Sequence, residues 1–136
     1  MAEETKAASM IGRALRRRCP RCGAPKLFRK WFDLVESCPG CGLQFEREQG
    51  YWVGAVAFNT ALGIVAFLGS FGLILALTWP DVPWSMVSPF TIVVSVLAVV
   101  FGYPMIKLLW VAYDLSVHPL EHHEIENARA RIEGRP

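Results

Sequence analysis

Charged residues are missing from two long stretches of this 136-residue chain. Residues 49–80 and 82–106 contain no Asp, Glu, Lys or Arg, and only Asp81 separates them. A bilayer-spanning helix needs about 20 consecutive apolar residues, and both stretches exceed that length. A soluble helical hairpin would need a polar face on each helix, and neither stretch has one. The sequence therefore predicts a mainly α membrane protein, with a two-helix transmembrane hairpin at about residues 53–77 and 87–111.

Basic residues are missing from the connector between the two predicted helices, residues 78–90. Ten of the 14 Lys and Arg residues precede Gly50, and the other four follow the second charge-free stretch. Because cytoplasmic segments next to spans are enriched in Lys and Arg, both termini are predicted to be cytoplasmic. Residues 1–50 also lack the apolar core of a cleaved signal peptide. We therefore expect a multi-pass protein of the cytoplasmic (plasma) membrane.

Groups suited to catalysis are missing as well. The chain shows no nucleophile–base set and no pair of intramembrane carboxylates, so we predict that it is not an enzyme and identify no small-molecule substrate.

Polar segments flank the predicted hairpin, which with its ends occupies residues 51–114. Residues 1–12 are predicted to form a flexible tail, residues 13–50 a small head with its linker, and residues 115–136 a cytoplasmic tail. Within this last segment Pro119 is placed to start a short amphipathic helix. That helix would carry Leu120, Ile125 and Ile132 on one side.

All four cysteines lie in the predicted head, within CPRCGAPKLFRKWFDLVESCPGCG; they are Cys19, Cys22, Cys38 and Cys41. Two Cys-x2-Cys pairs separated by 15 residues have the spacing of a four-thiolate zinc site. A reducing cytoplasm disfavours disulfides, and so small a head needs a metal to fold. The sequence predicts one structural Zn²⁺ in a zinc-ribbon-like head. The alternatives are an iron centre with the same ligands and a redox dithiol pair.

Basic residues surround the cysteines; those singled out are Arg16, Arg17, Arg18, Arg29 and Lys30. Because the head is tethered within a few residues of the bilayer, we interpret them as contacts to membrane lipid or to a protein partner. The disfavoured alternative is nucleic-acid binding, with Phe28 or Trp31 stacking on bases.

Glu46, Arg47 and Glu48 lie in the linker between the cysteines and the first span. They are candidates for partner contact, or the two carboxylates for proton handling. The favoured alternative is a solvated linker in which Arg47 pairs locally.

Asn59 is a polar residue inside the first predicted span. Intramembrane polar residues are often functional, but an amide also joins neighbouring helices by hydrogen bonds, and we favour this second role. In the C-terminal tail, a second metal site is a less favoured interpretation than a solvated segment; its candidate ligands are His118, Glu121, His122 and His123.

The run RCPRCGAPKLFRKWFDLVESCPGCGLQFEREQGYWVGAVAFNTAL, with WVAYDLSVHPLE near the far end, resembles a bacterial family of small membrane proteins of unknown function. The resemblance covers about residues 13–121 and is closest to actinobacterial members. It implies a cytoplasmic zinc-ribbon-like head followed by two transmembrane helices, and it brings no established activity. In some bacteria, genes of this type lie near those for terminal-oxidase biogenesis.

Two functions remain open from the sequence. The favoured one is a non-enzymatic accessory or assembly protein that contacts membrane lipid and another membrane protein or complex, and not nucleic acid. The alternative is metal or redox handling for a membrane oxidase.

Overall fold

The computed structural model describes residues 2–134, with side chains from residue 6 onward. It contains four helices in this range: α1 (Ala2–Leu15), α2 (Trp52–Thr78), α3 (Trp84–Val117) and α4 (His122–Glu133). No strand forms in the described residues, although two isolated antiparallel bridges pair Phe28 with Leu34 and Ser37 with Gln44. The prediction of a mainly α protein is confirmed.

The helices α2 and α3 are long and apolar enough to cross a membrane. Each has a most apolar window with a mean hydropathy of 2.2, and 0% and 17% of these windows are buried inside the protein. A core helix of a soluble protein would be mostly buried, so these two exposed apolar helices suggest membrane insertion. The sequence predicts these helices at residues 53–77 and 87–111, and the structure has them at Trp52–Thr78 and Trp84–Val117.

The chain divides into two compact units, and α2 and α3 contribute residues to both. The unit Val56–Tyr103 contains α2 from Val56 onward, the first part of α3 and the turn between them. Two glycines allow close packing inside this unit. A Cβ atom at Gly63 would lie 2.9 Å from Val99, and one at Gly102 would overlap the side chain of Leu62. Small residues permit such close approach between membrane helices.

The other unit contains the head, the end of α3, and helices α1 and α4. A single apolar core joins the head, α1 and the end of α3, and its buried members are Ala14, Cys19, Leu27, Cys38, Leu43, Phe45, Leu108, Val111, Ala112 and Leu115. The head therefore packs directly against the last turns of α3. This packing explains why α3 continues to Val117, six residues beyond the end predicted at residue 111.

Two terminal segments differ from the sequence-based prediction. Residues 1–12 were predicted to be a flexible tail, whereas α1 covers Ala2–Leu15. This segment is rich in strong helix formers, and Met10 and Ala14 pack onto the core of the head. In the C-terminal segment, α4 starts at His122, after the capping residue Glu121, and not at Pro119. Residue 1 and residues 135–136 lie outside the described part of the chain.

Candidate metal centre and the Arg47 network

The two Cys-Pro-x-Cys-Gly pieces fold into matching turns. In the first, the Gly23 amide donates to the Cys19 carbonyl at 2.8 Å, and the Cys19 amide donates to the Ala24 carbonyl at 3.0 Å. In the second, the amides of Gly42 and Cys38 make the equivalent bonds at 3.0 and 2.8 Å. Both glycines have positive φ values, +79° and +69°, which favour glycine because it lacks a Cβ atom.

These turns bring all four cysteine sulfurs together. The four Sγ atoms lie within 4.8 Å of one another, with Cys19–Cys41 at 3.8 Å and Cys22–Cys38 at 3.6 Å. Four thiolates bound at about 2.3 Å to one tetrahedral ion would be about 3.8 Å apart. The cluster therefore fits one metal ion, and a disulfide between any two of these sulfurs would need a far shorter distance.

Contacts between the thiols shift their pKa values in opposite directions. Hydrogen bonds from Cys19 and Cys41 lower the pKa of Cys38 from 9.0 to about 2. The contact with Cys38, followed by that with Cys41 and by burial, raises the pKa of Cys19. Full ionisation of the cluster would place four negative charges within a few ångströms. A bound divalent cation would offset that repulsion and displace the remaining protons.

Arg47 is the centre of a charged network beside the cluster. Its Nε and Nη2 atoms donate to the two carboxylate oxygens of Glu124 at 2.7 and 2.8 Å. Its Nη1 atom donates to Asp114 Oδ2 at 2.9 Å and to the His118 carbonyl at 3.1 Å. The Tyr51 hydroxyl also donates to Asp114 Oδ2, at 3.0 Å. We call these five residues the Arg47 network; it ties the linker to α3 and α4.

Backbone contacts also hold α4 against the head. A Cβ atom at Gly42 would overlap the backbone of Ala128, so glycine is needed there for close approach as well as for its φ value. Arg131 donates to the Gly42 carbonyl at 3.2 Å and to the side chain of Gln44. The second cysteine turn is thus held from both sides, by the sulfur cluster and by α4.

Residues 28–114 match the family described as Protein of unknown function (DUF983). The chain belongs to this family. The match covers more than half of the chain. It is shorter than the resemblance seen in the sequence, which covers about residues 13–121. No curated protein and no solved structure gives a significant match.

The DUF983 segment includes part of each functional cluster. It contains Cys38 and Cys41 of the sulfur cluster, together with Arg47 and Asp114 of the network, while the first cysteine pair precedes it. Glu124, which forms the bidentate contact with Arg47, follows it. The family match therefore covers the second cysteine pair, α2 and most of α3, and the geometry assigns the rest of the sulfur cluster.

The linker residues match the favoured prediction, a solvated linker in which Arg47 pairs locally, only in part. Arg47 pairs with residues 67 and 77 positions away, and not locally. Glu46 and Glu48 are both exposed, and they line different cavities. Because they line different cavities, Glu46 and Glu48 do not form a carboxylate pair at one site.

The collar residues Arg16, Arg17, Arg18, Arg29 and Lys30 are all exposed. The guanidinium carbon of Arg17 lies 5.0 Å from the centre of the Trp31 ring. The collar thus remains accessible around the first cysteine turn and the loop that follows it.

Asn59 lies in the unit Val56–Tyr103, beside a groove that also contains Thr60, Gly63 and Val99. Its Oδ1 atom is buried and has no hydrogen-bond partner among the described residues. The predicted hydrogen bond to the second span is therefore not formed through this oxygen, and the residue from α3 that lines the groove is the apolar Val99.

Glu124 was not predicted as a site residue. One local sequence pattern does involve Glu124, namely its spacing from Glu121 at the start of α4. There the Glu121 amide donates to Glu124 Oε2 at 2.9 Å. This i, i+3 spacing is typical of a capping box. Among the tail histidines, His118 joins the network through Asp114, at 3.2 Å. Within the described residues, the cysteines form the one cluster suited to a metal.

The network shifts the pKa of Glu124. Its contacts with Arg47 lower that pKa from 4.5, and the same contacts raise the pKa of Arg47. A carboxyl group with a lowered pKa in the folded protein contributes stability that is fully present above its unfolded value. That stability is lost as the pH falls through the folded value.

We therefore expect the stability difference between the wild type and Glu124→Gln to be constant from neutral pH down to about pH 5 and to vanish at lower pH. Gln retains the capping geometry, so the difference isolates the charge. Thermal unfolding in detergent at a series of pH values measures it. Subtraction of the variant removes the separate effect of acid on the thiolates. A difference that persists unchanged below the folded pKa of Glu124 would contradict the assignment.

Proposed function

We propose that this chain is a non-enzymatic accessory or assembly protein of a larger complex in the bacterial plasma membrane. Its head would carry one structural Zn²⁺, and both termini would be cytoplasmic. The observation that carries the proposal is the apolar core that joins Cys19 and Cys38 to Leu108 and Leu115 of α3. A metal in that cluster would stabilise the surface formed by the head and the last turns of α3.

The ligand set supports a structural role for the metal. Four sulfurs complete the coordination of a tetrahedral ion and leave no position for water or substrate. The cytoplasmic placement rests on the distribution of Lys and Arg around the spans. Accessory proteins act through such fixed surfaces, and the accessible collar with the Arg47 network provides one.

A pull-down of the tagged full-length protein in mild detergent tests the proposal. We expect the wild type to retain a stoichiometric membrane complex, together with about one metal ion per chain. The Cys38→Ser variant should lose both. Ser9→Ala, a substitution at an exposed position of α1, is the matched control and should retain both. A wild-type protein that holds one metal tightly but has no companion would contradict the accessory role.

The second candidate is metal or redox handling for a membrane oxidase. The observation in its favour is that Cys22 is exposed, whereas Cys19 and Cys38 are buried. An exposed ligand gives an acceptor access to the ion. Metal exchange against a chelator separates the two candidates: release within seconds from the folded protein favours handling, and release only on unfolding favours structure.

A further inference from the structure

A continuous line of aromatic and basic side chains runs along the head to the spans. Arg17 lies over the Trp31 ring at 5.0 Å, and Trp31 meets Phe32 edge-on with ring centres 6.5 Å apart. The Lys107 ammonium donates to the Phe32 carbonyl at 3.2 Å and lies 4.9 Å from the centre of the Trp52 ring. We call these five residues the aromatic–basic ridge.

The segment that leads to Trp31 and Phe32 is strongly basic. Residues 13–32 contain eight Lys or Arg residues and no Asp or Glu. A divalent ion bound by four thiolates has a formal charge of −2, since four negative charges exceed its two positive ones. It would therefore balance two of the eight cations. The remaining excess, which includes the exposed Arg29 and Lys30 next to Trp31, favours an anionic partner surface.

The ridge begins on the membrane-spanning helices themselves. Trp52 is the first residue of α2, and Lys107 lies within the candidate span α3. Trp31 and Phe32 are 46% and 44% exposed, which is unfavourable for such large apolar rings in water. Aromatic rings and snorkelling lysines are typical of the headgroup region of a bilayer. The contacts of Lys107 with Phe32 and Trp52 would hold the loop that carries Trp31 and Phe32 at the level of the headgroups.

We propose that the aromatic–basic ridge binds the anionic phospholipid headgroups of the membrane that the protein spans. Trp31 and Phe32 enter the interface, while Arg17, Arg29 and Lys30 contact lipid phosphates. Each cation near an anionic surface contributes to binding, and the aromatic rings add apolar contact. This site is independent of the accessory role, because it requires only that α2 and α3 lie in a bilayer.

Lipid is favoured over nucleic acid and over a protein partner by the continuity between the ridge and the spans. A nucleic acid would have to approach aromatic rings that lie at the level of the headgroups. Arg17 already covers one face of the Trp31 ring, which removes that face from stacking with a base.

The test uses the full-length protein in nanodiscs of phosphatidylcholine alone, or of phosphatidylcholine and phosphatidylglycerol in equal parts. Lipids brominated near the headgroup quench nearby tryptophans. The emission difference between the wild type and Trp31→Phe isolates Trp31 among the five tryptophans. We expect this difference signal to be quenched by brominated lipid in the anionic discs and to be shielded there from aqueous iodide.

Removal of two cations should weaken this engagement. In Arg29→Gln/Lys30→Gln, the ratio of the lipid-bound to the solvent-exposed population of Trp31 should fall about 30-fold. This is equivalent to about 1 kcal/mol per cation. The matched control, Lys6→Gln/Arg129→Gln, removes two exposed cations outside residues 13–32 and should behave like the wild type. Metal content, measured on each variant, verifies that the head is folded.

Two results would overturn the proposal. One is a Trp31 signal that iodide quenches fully and brominated lipid does not. The other is a signal insensitive to lipid that becomes shielded only when a single-stranded oligonucleotide or a copurified protein is present. Either would show that the ridge does not bind lipid headgroups. The pull-down described above can fail while this result stands, so the two proposals are tested separately.

Discussion

Replacement of Cys38 by serine should abolish stoichiometric metal binding and unfold the head. Metal bound to a four-thiolate site contributes roughly 10–16 kcal/mol of apparent free energy, and the small core of the head cannot replace it. Cys38 is fully buried in that core and lies 3.6 Å from Cys22. Metal content per chain, with hydrogen exchange of residues 27–45, measures both effects.

Cys22→Ser tests whether the site needs all four sulfurs. Cys22 is exposed, so its substitution costs little packing, and any loss must come from coordination. We expect this variant to lose tight metal binding as Cys38→Ser does, while Ser9→Ala keeps it. If Cys22→Ser retained wild-type stoichiometry and affinity, three ligands would suffice. The fourth position would then be open, and a closed structural site would be the wrong description.

Replacement of Arg47 by methionine should release α4 from the head. The change leaves the carboxylates of Asp114 and Glu124 largely buried without their cation, since their side chains are only 14% and 21% exposed. We expect a loss of about 2–4 kcal/mol in the free energy of unfolding. Hydrogen exchange of residues 122–133 should become faster, and the thermal midpoint in detergent should fall.

Two further variants define the Arg47 effect. Arg47→Lys keeps the charge but cannot donate in parallel to both oxygens of Glu124 and also to Asp114, so we expect an intermediate loss. Arg129→Met makes the same change as Arg47→Met at an exposed arginine of α4. It should stay within about 0.5 kcal/mol of the wild type. Equal effects at Arg47 and Arg129 would show that the network does not hold α4.

The combination of a sulfur cluster and a charged network explains how a short head can form a fixed surface. The cluster closes the two turns on one side, and α4 covers Gly42 on the other. The Arg47 network then fixes α4 relative to α3. Cys38→Ser and Arg47→Met each remove one of these restraints, so their effects on hydrogen exchange should map to different segments.

Local sequence patterns were sufficient for the sulfur cluster and the apolar helices. A two-residue gap between cysteines, followed by glycine, determines the turn by itself, because every required contact lies within five residues. The length of a charge-free stretch likewise predicts a helix long enough to span a bilayer, since the bilayer requires that length whatever the rest of the chain does. These features could be read without the tertiary structure.

Only the tertiary structure decided the partners of Arg47, the packing of α4 and the extent of α1 and α3. Glu124 lies 77 positions from Arg47, and no local pattern relates such distant residues. The helix α1 was predicted as a loose tail because its own sequence is polar, yet Met10 and Ala14 gain a core to pack against. Long-range contacts provide the free energy for these features, and a linear sequence does not show which distant residues will supply it.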